Sequence, residues 1–307
     1  METCITVWPT PKHPRWYDEG MRESLGLIRE AGFTHVNFTT DGGSSYMFSG
    51  PEINFTARMI HDAGLKVKSL HASNGRNGIL EVSSRQDRTP VMETRRDIGS
   101  PHEWQRLSGI ELVQNRVALA AALGSPDAIL HIEIDDTVFR SPETEAAFFD
   151  PFWYSLDALE PFCRAHGVKI AVENLLGASA DSWVLLFDRL FQRYDASFIG
   201  MCFDTGHWFA AAGPGDMTLL DRHGDRLIAT HVHDNFGVMD EHLLPFDGRI
   251  DWPIYMKAIA GTACEMPLNL ETPPDRHNLP ESAFFKRAHR AAVQLETMVL
   301  VERGRKT

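Results

Sequence analysis

Six short apolar runs in this 307-residue chain each end on a side chain that can ligate a metal. They are Ser-Leu-His71, Ile-Leu-His131, Ala-Val-Glu173, Cys-Phe-Asp204, Ala-Thr-His231 and Asn-Leu-Glu271. A single buried carboxylate or imidazole has an ordinary explanation, a satisfied hydrogen bond in a core. Three carboxylates and three histidines at one rim are different, because their repulsion and lost hydration are costly without a cation to neutralise them. A divalent cation is the simplest account. Glu173, Asp204, His231 and Glu271 offer three oxygens and one nitrogen, a set that suits Mn²⁺ first, with Mg²⁺, Co²⁺ or Zn²⁺ as alternatives, and that suits copper or iron–sulfur poorly. No cysteine falls at one of these positions, which argues against a closed structural zinc site.

Those side chains need a scaffold that brings strand ends together. β-rich runs fall at Thr3–Trp8, His35–Thr39, Lys66–His71, Ala128–Ile134, Val168–Asn174, Ile199–Asp204, Leu227–His233 and Pro267–Thr272. Stretches with helical periodicity separate them: Glu19–Glu30, Phe55–Asp62, Glu103–Leu123, Trp153–Ala165, Ser182–Tyr194, Asp216–Asp221, Pro253–Ile259 and Glu281–Leu300. Helices that stop at Gly32, Gly64 and Gly167 run straight into the next apolar run. Eight strand–helix units without an internal linker predict an α/β fold, a single (β/α)8 TIM-barrel domain over residues 1–307. A doubly wound sheet is the alternative, but no GxGxxG follows the first strand. In a barrel the C-terminal strand ends carry the active site, which is where the six ligand-type residues fall. The stretch Ala72–Pro101 after the third strand is rich in Ser, Asn, Gly and Arg and is expected to be a long lid or substrate loop.

The composition narrows the partners. Thirty Lys plus Arg against 42 Asp plus Glu leave a net charge of −12, which speaks against nucleic acid and anionic membranes. No apolar run is long enough to span a bilayer, and no secretory leader pattern opens the chain. Cys4, Cys163, Cys202 and Cys264 are scattered and read as buried free thiols of a reducing compartment, so a cytoplasmic location is expected. No phosphate-cradling loop is present, which favours an unphosphorylated small molecule. Trp8 and Trp208 stand near strand ends and could stack on a sugar face or plug the barrel mouth. Homo-oligomerisation is compatible with all of this.

Met201-Cys-Phe-Asp204-Thr-Gly-His207-Trp-Phe, His231-Val-His-Asp-Asn-Phe-Gly237, Asp240-Glu-His242 through Asp251-Trp252, and Leu270-Glu271-Thr-Pro together resemble the xylose isomerase-like TIM barrel superfamily. The resemblance runs in order from the third strand to the eighth. In its ketose epimerase branch one divalent cation is held by Glu, Asp, His and Glu, matching Glu173, Asp204, His231 and Glu271. The resemblance further implies that Glu173 and Glu271 are the acid/base pair that moves a proton next to a carbonyl through an enediolate. His207 resembles a substrate-contacting histidine, and His71, His131 and Trp8 are further candidates for substrate contact. The implied activity is isomerisation or epimerisation of a small carbohydrate or keto-sugar. One feature departs from the pattern: some epimerases carry an arginine where Gly237 stands, so Arg249 or the loop arginines Arg76, Arg85 and Arg88 would have to serve as anchor.

Two alternatives stay open within the same superfamily. Inosose dehydratases and keto-sugar lyases use a similar centre for elimination, with His131, Glu133 or His233 as the extra acid. Nucleases of the endonuclease IV type hold three zinc ions, and the matching residues are His71, His131 and Glu173, then Glu173, Asp204, His231 and Glu271, then His207, Asp240 and His242. Asp240 and His242 are therefore additional metal or substrate candidates. The acidic balance and the lack of a basic stretch between His231 and Asp240 argue against the nuclease.

Overall fold

Strands form where apolar residues run together between turn signals, because a parallel strand is buried on both faces. In the computed structural model, which describes residues 1–8, 15–39, 46–73, 76–82 and 90–304 (backbone alone at 73, 76–82 and 90–93), they are β1 (Cys4–Val7), β2 (His35–Thr39), β3 (Lys66–Ser73), β4 (Arg76–Val82), β5 (Pro90–Asp97), β6 (Asp127–His131), β7 (Lys169–Glu173), β8 (Ile199–Asp204), β9 (Leu227–His231) and β10 (Asn269–Leu270). Eight of them form one parallel sheet in the order β10–β1–β2–β3–β6–β7–β8–β9. Its two edges meet just beyond β9: Val232 N–H donates to Asn269 O at 2.9 Å, and Glu271 N–H donates to Val232 O at 3.0 Å. The sheet thus curls into the expected (β/α)8 barrel.

The helices are α1 (Met21–Ala31), α2 (Gly50–Asp62), α3 (Glu103–Leu123), α4 (Pro142–His166), α5 (Ala180–Arg193), α6 (Thr205–Ala212), α7 (Thr218–His223), α8 (Trp252–Ile259) and α9 (Glu281–Gly304). Gly32 and Gly167 end α1 and α4 in the left-handed conformation, φ 108° and 65°, where a Cβ would be strained. None of the described helices is long and apolar enough to cross a membrane.

The barrel interior has a dry floor. Ile129, Ala171, Cys202 and Ala229, one from each of β6 to β9, pack together there. Residues two apart on a strand share a face, so His131, Glu173, Asp204 and His231 stand directly above these four side chains. The floor explains both the convergence of the polar residues and their desolvation.

Three expectations change. The segment after β3 is not a plain loop, since β4 and β5 pair antiparallel from Arg76↔Asp97 to Val82↔Pro90. α4 starts at Pro142 rather than Trp153, capped by Ser141, which accepts from Thr144 N–H, and it carries Pro151 and Pro161 within its length. α6 follows β8 without a gap because Asp204 Oδ1 accepts the His207 N–H at 2.7 Å and caps the helix.

Candidate metal centre

The first group of ligand-type residues surrounds one atom. His231 Nδ1 lies 3.0 Å from Glu173 Oε2 and 3.2 Å from Glu271 Oε2. His131 Nε2 is 2.9 Å from the same Glu173 oxygen, and His71 Nε2 is 3.8 Å from Glu271 Oε1. The His71 ring stacks on His231, with centroids 5.3 Å apart, and meets His131 edge-on. Glu173, His231 and Glu271 are buried, whereas His71 and His131 are partly open to solvent. The first three therefore form the base of the centre and the last two its wall.

A second group adjoins the first. Asp204 turns to His233, with Oδ1 3.0 Å from His233 Nε2, and to His207, whose Nδ1 lies 3.6 Å from Oδ1. The loop after β9 brings in Asp240 and His242, with Asp240 Oδ2 at 2.8 Å from His242 Nε2 and 3.5 Å from His207 Nε2. His233 is fully buried and stacks on His242, with centroids 4.2 Å apart. Asp204 thus stands between the groups, in direct contact with the second.

Burial and charge set the protonation states together. Burial would raise Glu173, but the charges of His231 and His131 and the hydrogen bond from His131 hold it well below the carboxylate range. Burial raises Glu271, and the Glu173 and Asp204 anions add to that against the pull of His231. Burial alone would lower His231, yet Glu173 and Glu271 lift it to about 9. Burial also opposes protonation of His207, but Asp204, Asp240 and Glu173 carry it well above the histidine range. His71, with burial and the neighbouring His131 and His231 acting together, is held well below it. The two glutamates are thereby driven in opposite directions.

The donors fit a divalent cation. Donor atoms of His71, His231 and Glu271 lie within 4.8 Å of one another, as do those of His71, His131 and Glu173, of Asp204, His207 and His233, and of His233, His242 and Glu271. His231 Nδ1 is buried beside two carboxylates without an aligned hydrogen bond to either among the described residues. His207 Nδ1 meets Asn174 O at 3.0 Å and His242 Nδ1 meets Glu271 O at 2.7 Å, so both rings are oriented by backbone carbonyls as metal-bound histidines commonly are. Cys202, in the floor below the ligand-type residues, comes close enough to form a further group with Glu173 and His231. Burial and the Glu173 charge push its thiol well above the usual range, so it serves as neutral floor.

Of the residues singled out from sequence, His71, His131, Glu173, Asp204, His207, His231, Asp240, His242 and Glu271 all come together. Trp8 stands beside them, half-buried and edge-on to His242 at 6.5 Å. Trp208 does not face the site: it is fully buried and its indole N–H donates to Asp216 O at 2.8 Å. Glu133 is exposed beyond the end of β6, while His233 turns inward as strand parity allowed. Arg249 is exposed and its guanidinium lies over the Phe236 ring. Arg85 and Arg88 lie outside the described residues. Outside the site, His223 is buried against Asp188.

Two supporting residues escaped the sequence reading. Asn174 clamps Asp204 from both sides, Nδ2 donating to Asp204 O at 3.1 Å and Oδ1 accepting from Asp204 N at 2.9 Å. Asp234 accepts the N–H groups of Asn235, Phe246 and Ile250, each at 3.0 Å, and the Trp252 indole N–H at 2.9 Å. It ties down the loop that carries Asp240 and His242. The signals were present, an Asn directly after Glu173 and an Asp three residues after His231, but neither position separates a scaffold role from a turn.

Known proteins resemble this chain in sequence or in fold. An uncharacterized protein of Sinorhizobium fredii, y4fM, is 53% identical over 305 residues, covering 99% of this chain and 98% of that one. The inosose dehydratase of Salmonella typhimurium is 34% identical over 91 residues, 28% of this chain and 30% of its own. Among solved structures, an L-ribulose 3-epimerase superposes with a TM-score of 0.67 at 16% identity, covering all of this chain and 97% of that one. The IolI protein with a bound zinc atom superposes at 0.65 and 14% identity, covering 96% and 98%. These two likenesses concern the fold. A family model described as xylose isomerase-like TIM barrel matches residues 25–291. Matched over most of its length, the chain belongs to the xylose isomerase-like TIM barrel family.

Proposed function

We propose that this protein isomerises or epimerises a small unphosphorylated carbohydrate or keto-sugar through an enediolate. The observation that carries the reading is the pair of carboxylates around His231 Nδ1, one held ionised and one raised. Glu173, as carboxylate, takes the proton from the carbon beside the substrate carbonyl. Glu271 acts from the other side of the planar intermediate and returns a proton. His71 and His131, partly open at the wall, hold substrate oxygens, with Trp8 and His207 at the margin. Glu173, Asp204, His231 and Glu271 would hold one divalent cation, Mn²⁺ or one of Mg²⁺, Co²⁺ and Zn²⁺, which supplies charge stabilisation to the developing oxyanions. The likeness in fold to an L-ribulose 3-epimerase and to the zinc-bound IolI protein supports this reading. It takes residues 1–307 as one catalytic domain, and four buried, unbridged cysteines fit a cytoplasmic setting.

Two further readings have specific support. The local identity with an inosose dehydratase favours elimination of water from a keto-cyclitol or keto-sugar at the same centre. The second cluster of Asp240, His207 and His242 favours a multi-metal phosphodiester hydrolase. One experiment separates the three: metal-loaded protein in heavy water, offered a panel of keto-sugars, inososes and abasic duplex DNA. Deuterium entering recovered sugar beside the carbonyl, together with a stereoisomeric product, is the expected outcome. A dehydrated product would mean elimination, strand cleavage would mean hydrolysis, and either would replace the epimerase.

A further inference from the structure

His231 faces the carboxylates with Nδ1, and its other ring nitrogen, Nε2, lies 3.2 Å from the side-chain amide of Asn37. Asn37 sits on β2, fully buried, and reaches through the barrel interior to β9. The amide belongs to a buried polar chain. Asn269 Nδ2 donates to Thr6 Oγ1 at 2.9 Å, and Thr6 Oγ1 lies 3.4 Å from Asn37 Nδ2. In this orientation Asn37 Oδ1 has no hydrogen-bond partner among the described residues.

The amide orientation and the imidazole tautomer are one choice. With Nδ2 directed at Nε2, the ring must accept there, so its proton sits on Nδ1 between Glu173 and Glu271. A histidine that ligates through Nδ1 carries its proton on Nε2 instead, and a buried N–H there needs an acceptor. A half-turn of the Asn37 amide supplies one, since oxygen and nitrogen exchange places with little change of shape. The Thr6 hydroxyl, which accepts from Asn269 Nδ2 at 2.9 Å and lies 3.4 Å from Asn269 Oδ1, is then a second donor within reach of the same Asn37 oxygen.

We propose that Asn37 is a positioning residue of the metal centre: its amide oxygen accepts the Nε2 proton of His231 and so keeps the Nδ1 lone pair facing Glu173 and Glu271. The inference rests on the cation reading above and goes beyond it in assigning which nitrogen ligates and what holds it so.

The test is a titration of chelator-treated protein with Co²⁺, followed by visible absorption. Asn37→Leu, similar in size without an acceptor, should weaken Co²⁺ binding roughly 10–100-fold. Asn37→Asp, an acceptor only, should bind Co²⁺ at least as tightly as the wild type. Unchanged affinity in Asn37→Leu overturns the proposal, and so does tenfold or greater loss in a folded Asn37→Asp, the variant that decides the matter if the leucine form does not fold. Failure of the wild-type protein to take up Co²⁺ overturns the cation reading itself. Wild-type uptake with an indifferent Asn37→Leu overturns the role of Asn37 alone.

Discussion

His207 and His242 present the same nitrogen to the same carboxylate. Each ties Nδ1 to a backbone carbonyl, Asn174 O at 3.0 Å and Glu271 O at 2.7 Å, and each directs Nε2 at Asp240 Oδ2, at 3.5 and 2.8 Å. One ring comes from the first turn of α6 and the other from the loop after β9, so the symmetry is not a product of local sequence. It arises because Asp204 caps α6 and Asp234 fastens the loop. With the proposed single cation at Glu173, Asp204, His231 and Glu271, Asp240→Asn should lower turnover while leaving about one equivalent of metal per chain, as read by elemental mass spectrometry. A fall in bound metal on that substitution would place a cation between the two histidines and favour the hydrolase.

The paired glutamates carry a sharper expectation. Glu173→Gln and Glu271→Gln remove the proton carrier but keep size and burial, so the circular dichroism spectrum of the metal-free protein should stay close to wild type. Exchange of substrate hydrogen with heavy water should fall by roughly 10²–10⁴-fold in each variant. If either variant still exchanges at the wild-type rate, that glutamate does not move the proton.

Much of this was legible because parallel strands announce themselves. Ala-Val-Glu173 and Cys-Phe-Asp204 each place a small floor residue two positions before a ligand-type one, and strand parity puts both inside. α6 was hidden because Trp208 and Phe209 continue the apolar run of β8 and its cap, Asp204, had already been read as a ligand. The β4–β5 hairpin was hidden in a polar stretch where backbone pairing, not an apolar face, marks the strands. The apolar periodicity marks only Trp153–Ala165 of α4, whereas the helix begins at the Ser141 cap and carries Pro151 within its length. Asn37 pairs with His231, far away in sequence, and Asp234 gathers N–H groups from a loop with no regular period, so no local pattern names their partners.

The second cluster should make the metal-free protein sensitive to alkali. Burial pulls His242 down, but the hydrogen bond to Asp240 and the charges of Glu271 and Asp240 lift it from 6.5 to about 9. A folded value above the unfolded one gives stability that is full below pH 6.5 and lost as pH rises through 9. Asp240 is shifted downward, so its share is lost only in acid and does not enter this window. Chelator-treated protein should therefore lose on the order of 2–3 kcal/mol from His242 between pH 6.5 and 9. His242→Gln should reduce that slope in urea titrations at several pH values, leaving the share of His231, which is also lifted to about 9. Cation affinity should change the other way, rising over the same range as the histidines shed their protons. A metal-free protein equally stable at pH 6.5 and 9 would show that His242 is not held protonated by Asp240.

Gly206 tests how tightly the cluster is assembled. A Cβ at this position would come within 2.6 Å of His233 Nδ1 and 2.8 Å of its Nε2, too close for any real contact. The ring cannot withdraw easily. Thr205 Oγ1 both donates to His233 O at 2.8 Å and accepts its N–H at 3.1 Å, while the ring itself is pressed between Asp204 and the face of His242. Gly206→Ala should therefore cost roughly 1–3 kcal/mol as overpacking, seen as a fall of several degrees in melting temperature. The clash can be isolated by removing the ring, because in a His233→Ala background the added methyl has room. The Gly206→Ala penalty should then shrink by more than half in the double-mutant cycle. An equal penalty in both backgrounds would mean that the glycine serves the turn into α6 rather than the packing of His233.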